Sequence, residues 1–253
     1  MPLGSLVLVS ALLAAPAEGP APTVWAEAGG RPWTTCRERE RQAETVLQRV
    51  STRNEDSGDS PWFAAARECP HAPAVLVVAA MRALANVPAY PMGGELQESL
   101  PKLAAAHRIG RKQARSWLRT ALAEAQRRGD PAPVLTHYFL AQAALGLGEP
   151  VTARAELATA VARGEVEAWR ADHALAVAAL LEGNLEAALD LAYRARELAP
   201  ASERTTSTFL LALVYDRSGA PEAALREMLA LGSREGERGA ADINLPLHER
   251  LYL

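Results

Sequence analysis

Apolar side chains along this chain recur at helical spacing, and the strict apolar–polar alternation of half-buried strands is missing. The first predicted helix starts at Thr34 or Thr35, either of which can cap it, and runs to about Val50. It ends before Asn54-Glu55-Asp56-Ser57-Gly58-Asp59, a polar, turn-rich stretch. A short helix from Pro61 to Cys69 follows, then a break over Pro70–Pro73. The next helix, Ala74 to Asn86, is apolar nearly all round, which predicts burial. Pro88, Pro91 and Gly93-Gly94 mark a loop. Two further helices are predicted, over 95–108 and 111–128, before the linker Gly129-Asp130-Pro131-Ala132-Pro133.

Beyond that linker the pattern repeats. Gly148, Gly183 and Gly219 lie 35 and then 36 residues apart, each between two predicted helices. Eight residues before each glycine stand Leu140-Ala141, Leu175-Ala176 and Leu211-Ala212. Five residues after each stands Ala153, Ala188 or Ala224, followed by Leu157, Ala192 or Met228 and then Ala160, Ala195 or Leu231. Small residues let two antiparallel helices approach closely, and larger ones fill the gap to the next pair. Glycine at the turn supplies the left-handed backbone that ends a helix. One such hairpin leaves an apolar face bare, and stacking covers it.

These units resemble the tetratricopeptide-repeat family. The best match is Trp169 to Ser202, with Leu175-Ala176, Ala179, Gly183-Asn184-Leu185, Ala188, Ala195 and Pro200 at that family's small, turn and terminal-proline positions. The unit from Val134 has Ala144, Gly148, Ala153 and Ala160 but carries Glu165 in place of the terminal proline. The unit from Thr205 has Tyr215, Gly219 and Ala224, with Leu231 where a small residue is usual. The resemblance covers residues 134–232, about two fifths of the chain. It implies an all-α fold: a right-handed α-solenoid of helix hairpins preceded by an irregular helical region, 34–130. Ala114, Leu118 and Ala121 repeat the second-helix spacing, so 95–128 is a candidate degenerate unit. Residues 233–253 are a tail or, from Pro246 to Leu253, a capping helix.

Composition bounds what such a chain can do. Its 253 residues are 49% hydrophobic, enough for a sizeable core, and a net charge of −3 argues against bulk nucleic-acid binding. Leu6 to Ala15 form an apolar run of signal-peptide length, with Ala15-Pro16-Ala17 as the cleavage site. No Lys or Arg precedes the run, and it is short for a permanent membrane span. Residues 1–17 are therefore expected to be a signal peptide and 18–33 a flexible lead-in carrying Trp25 and Trp33, with export to the periplasm or beyond. A mis-assigned start or a buried first helix are the alternatives. Cys36 and Cys69 lack zinc-knuckle or redox Cys-x-x-C spacing. An exported chain would join them in a disulfide between two N-terminal helices; a cytosolic one would keep two reduced thiols.

Catalytic patterns are missing. Gly232-Ser233-Arg234-Glu235-Gly236 has its serine one place too early for a nucleophile elbow. His71, His107, His137, His173 and His248 are scattered without metal-ligand spacing, and no phosphate-cradling loop occurs. The expectation is a protein that is no enzyme and takes no cofactor or metal.

Two surface features stand out instead. The fifth residue of each first helix faces the inner surface in the family that these units resemble; here these are Tyr138, His173 and Phe209. With Gln142, Arg170, Val177, Leu213 and Asp216 they would line a groove suited to a peptide or helix, unless the rings simply pack between helices. Arg108, Arg111, Lys112, Arg115 and Arg119 recur at helical spacing, either as a contact for an anionic partner or as a solvated face. Aromatics are sparse there, with Trp117 expected on the buried side, so nucleic acid is a poor candidate. The leading expectation is a protein-binding adaptor of the bacterial cell envelope. The alternative places a structural or enzymatic role in residues 34–130, with the repeats as a docking arm.

Overall fold

The computed structural model describes residues 35–49, 60–85, 96–201 and 203–235, with side chains described over 35–48, 60–85, 104–201 and 203–230. The expected signal peptide and lead-in, the capping helix from Pro246 and His248 lie outside these residues. Everything described is helix or connection: α1 (Cys36–Arg49), α2 (Pro61–Glu68), α3 (Pro73–Ala85), α4 (Leu96–Arg128), α5 (Thr136–Leu145), α6 (Pro150–Ala162), α7 (Ala168–Leu181), α8 (Leu185–Leu198), α9 (Arg204–Arg217) and α10 (Pro221–Glu235). None of them is long and apolar enough to cross a membrane.

Local chemistry explains the ends. The Thr35 hydroxyl accepts from the Glu38 amide at 3.3 Å and starts α1. Pro61 and Pro150 sit in the first turns of α2 and α6, where a missing N–H costs nothing. Gly148, Gly183 and Gly219 have φ of 74°, 75° and 78°, as the repeat pattern requires. At each, the next residue's amide reaches back to Ala144, Ala179 or Tyr215 and the glycine's own to Leu145, Leu180 or Asp216. One Schellman closure thus ends α5, α7 and α9 alike.

The helices expected over 95–108 and 111–128 are in fact one, α4. A glycine inside a helix costs only about 1 kcal/mol and does not break it when strong helix formers flank it. Gly110 lies against α3: a β-carbon there would come within 3.4 Å of the Ala83 carbonyl.

Consecutive helices from α3 onward pack on each other, and α3, α5, α7 and α9 also touch in series. No extensive contact joins α4, α6, α8 and α10 to one another. The helices therefore form two layers, an inner row (α3, α5, α7, α9) and an outer row whose members straddle neighbouring inner helices. The described helices belong to one compact unit, in which α1 and α2 both pack on α3.

The core follows the repeat register. Ala141, Ala144, Leu145, Ala153, Leu157, Ala174, Val177, Ala188, Ala192, Leu210 and Leu211 are buried in one cluster. Ala114, Leu118 and Ala121 of α4 are fully buried, matching the second-helix positions. The open end differs: on α10, Met228 and Leu229 are exposed. Arginines recur between layers, with Arg115 on Glu149 and Arg154 on Glu182, both at 2.7 Å. Such part-exposed pairs contribute on the order of 1 kcal/mol or less each, so apolar burial holds the stack.

Candidate contact face

The inner row places the eight register-derived residues unevenly. Tyr138 and Gln142 on α5 and Arg170 on α7 are half-buried, and Asp216 at the end of α9 is exposed. His173, Val177, Phe209 and Leu213 are buried. The reachable residues are therefore Tyr138, Gln142 and Arg170, along one edge, and Asp216 at the end of α9.

Three elements build that edge. Burial pushes the Tyr138 phenol above its usual range, with the Arg170 charge and a Gln142 side-chain hydrogen bond pulling it back. Glu203 and Glu167 act on the same phenol, so residues from α5, the start of α7 and the approach to α9 share one field. The Arg170 guanidinium stacks 5.0 Å over the Trp169 ring and lies 3.6 Å from Glu167. Trp169, Glu167 and Glu203 are participants that the register did not single out. Phe139 tilts against Tyr138 at 5.6 Å, completing an aromatic edge rimmed by charge.

A buried carboxylate sets α5 in place. Glu165 accepts from the His137 and Tyr138 amides at 3.0 and 3.4 Å and from Arg163 at 2.6 Å. The residue before α5, Leu135, has no capping side chain and a φ of 69°. Glu165 therefore caps this helix from the connection between α6 and α7, at the end of the same unit.

The five cations of the expected stripe do not share one solvated surface. Arg111 is buried, its guanidinium lying where Gly146 leaves room: a β-carbon on Gly146 would come within 1.8 Å of Arg111 Nε. Arg115 is held by Glu149. Arg108, Lys112 and Arg119 remain exposed. Trp117 is half-buried and stacks on Phe63 at 5.7 Å.

Cys36 and Cys69 come to disulfide distance, their Cα atoms 5.5 Å apart, joining the start of α1 to the end of α2. Among the described residues no group of three His, Cys, Asp or Glu is placed to hold a metal ion. His71 pairs with Glu124 at 3.1 Å and His137 with Glu156 at 2.8 Å, while His107 and His173 are buried. Burial pushes the Asp172 carboxyl up, and Arg194, 3.1 Å away, draws it back.

No protein-family model matches this chain, and comparison with curated proteins and with solved structures finds no match either.

Proposed function

We propose that residues 134–232 form a right-handed α-solenoid of tetratricopeptide type, and that the chain is a non-enzymatic adaptor of the bacterial cell envelope. It holds a protein segment, a peptide or a helix, along the edge of the inner row. The observation that carries this reading is the half-buried row Tyr138, Gln142 and Arg170 on the successive inner helices α5 and α7, with Phe139 against Tyr138 and the Arg170 guanidinium over Trp169. An aromatic surface with a charged rim, on helices fixed by a buried core, suits an extended or helical ligand. The apolar leading run and the cysteine pair support export, since a disulfide persists only in an oxidising compartment.

Arg170 is half-buried on this edge and is expected to lie in the contact. The chain used as bait against an envelope fraction should retain a discrete partner, and Arg170→Glu should lower retention at least tenfold while leaving helicity unchanged. Retention of the same partner by Arg170→Glu would move the contact elsewhere. Amino-terminal sequencing of the chain recovered from cells tests export: a start at or near Glu18 supports it.

A further inference from the structure

The two cysteines stand in unlike surroundings. Cys36 is the first residue of α1 and is exposed, whereas Cys69 follows α2 and is only 2% exposed. A recess of about 500 Å³ opens beside them, lined by Arg37, Glu40, Glu68 and Arg128 among others. Both of its carboxylates are held by arginines, Glu40 by Arg128 at 3.0 Å and Glu68 by Arg39. Neither repels an approaching anion at full strength.

A thiolate attacks a disulfide at one sulfur and expels the other. Access therefore selects the sulfur that is attacked, and thiolate stability selects the one that leaves. Access points to Cys36. Expelling Cys69 places a negative charge in a buried spot at the carbonyl end of α2, and both conditions disfavour a thiolate. Arg39 offsets them: its Nη1 donates to Cys69 Sγ at 3.6 Å, and its side chain is only 15% exposed, so its charge is little screened. Glu68 accepts from the same nitrogen, but its side chain is 54% exposed, so water can take over its charge once a thiolate forms.

We propose that Cys36–Cys69 is a thiol–disulfide exchange site, reduced by a dithiol, in which Cys36 takes the attack and Cys69 leaves beside Arg39. In the first step a thiolate of the dithiol bonds to Cys36 Sγ. The Cys36–Cys69 bond breaks, and its electron pair goes to Cys69 Sγ next to the Arg39 guanidinium. In the second step the dithiol's other sulfur, as thiolate, attacks the sulfur joined to Cys36 and expels Cys36. That thiolate forms at the amide end of α1, which favours it. The dithiol ends oxidised to a disulfide, the chain ends with two thiols, and the protons lost by the one are taken up by the other. This site uses none of the residues proposed to hold a protein segment, and it stands or falls independently of that reading.

Reduction of the folded full chain tests the proposal. Brief treatment with glutathione, a monothiol, stopped by alkylation, should leave the glutathione adduct on Cys36 and the alkyl label on Cys69 in peptide mass mapping. Dithiothreitol should reduce the bond without denaturant. Arg39→Ala should slow that reduction about fivefold or more, and Arg39→Lys should keep most of the rate. The sign is diagnostic: an arginine that merely packed α1 on α2 would leave the bond more open when removed, and reduction would speed up. Thioredoxin, a protein dithiol, run beside dithiothreitol identifies the source. A higher rate per dithiol with thioredoxin assigns a protein reductant, and a lower one assigns a small dithiol. A glutathione adduct on Cys69, or on both cysteines alike, would overturn the proposal. So would a bond reduced only in denaturant, an Arg39→Ala chain reduced as fast as wild type or faster, or a chain whose two thiols stay free after oxidation.

Discussion

Glu165 stands where the best-matched unit has Pro200, and its carboxylate does what a proline cannot: it accepts the free amides of His137 and Tyr138. Glu165→Gln keeps the shape but loses the charge facing the amide end of α5, and is expected to cost about 1–2 kcal/mol in chemical denaturation. A variant as stable as wild type would remove the capping role. Gly146 is set by a neighbour distant in sequence, since Arg111 fills the space a side chain would need. Gly146→Ala should cost about 1–3 kcal/mol, and most of that cost should vanish in an Arg111→Ala background. Additive costs would show that the two do not meet. The Tyr193 and Tyr215 hydroxyls are hydrogen-bonded to each other, and this bond, more than burial, pushes the Tyr215 pKa up to about 12. The folded state then holds its proton more tightly than the unfolded chain, whose phenol titrates near 10. The contribution of this phenol to stability should be constant below about pH 10 and be lost as pH rises from there through about 12. Denaturation midpoints at either side of that window measure the fall, and Tyr215→Phe should flatten it.

At the scale of elements, much was legible, because the signals were local. The starts and ends of α1, α2 and α3 fall within a residue or two of expectation, set by Thr35, Pro61 and the Pro70–Pro73 break. The glycine turns of the repeats were equally readable, since a positive φ leaves its mark in residue type. What escaped was decided by contacts distant in sequence. Gly110 looked like a boundary, yet it lies inside α4 because α3 packs against it there. Arg111 fitted a solvated stripe by spacing, but the turn at Gly146 covers it. Helical register places Tyr138, Gln142 and Arg170 half-buried on the inner helices, whereas Glu203 precedes α9 and carries no periodic signal. Register also could not separate the reachable residues from His173, Val177, Phe209 and Leu213, whose burial depends on how closely the inner helices approach.

Among the described residues the helices stack in order along the chain, and the first of them is held by a covalent link. At the first end, α1 buries little apolar surface, chiefly Ala43 and Leu47, and is tied down by the Cys36–Cys69 link across 33 residues. Closing a loop of that length contributes about 3–4 kcal/mol by the chain-entropy account. Reduction should therefore loosen α1 first: amide exchange should rise there while α7 and α8 stay protected. Equal exchange throughout would show that the link is unimportant to the stack. The proposed contact face lies on α5 and α7, whose other sides are buried in the core, and a surface already formed lowers the ordering cost of binding a ligand. Site-specific photo-crosslinking reads directly where a partner sits. A photoreactive residue replacing Gln142 on the inner edge should trap a discrete protein partner from the envelope fraction, and one replacing Ala155 on the outer row should trap none. Trapping of the same partner from Ala155, with none from Gln142, would place the contact on the outer row instead.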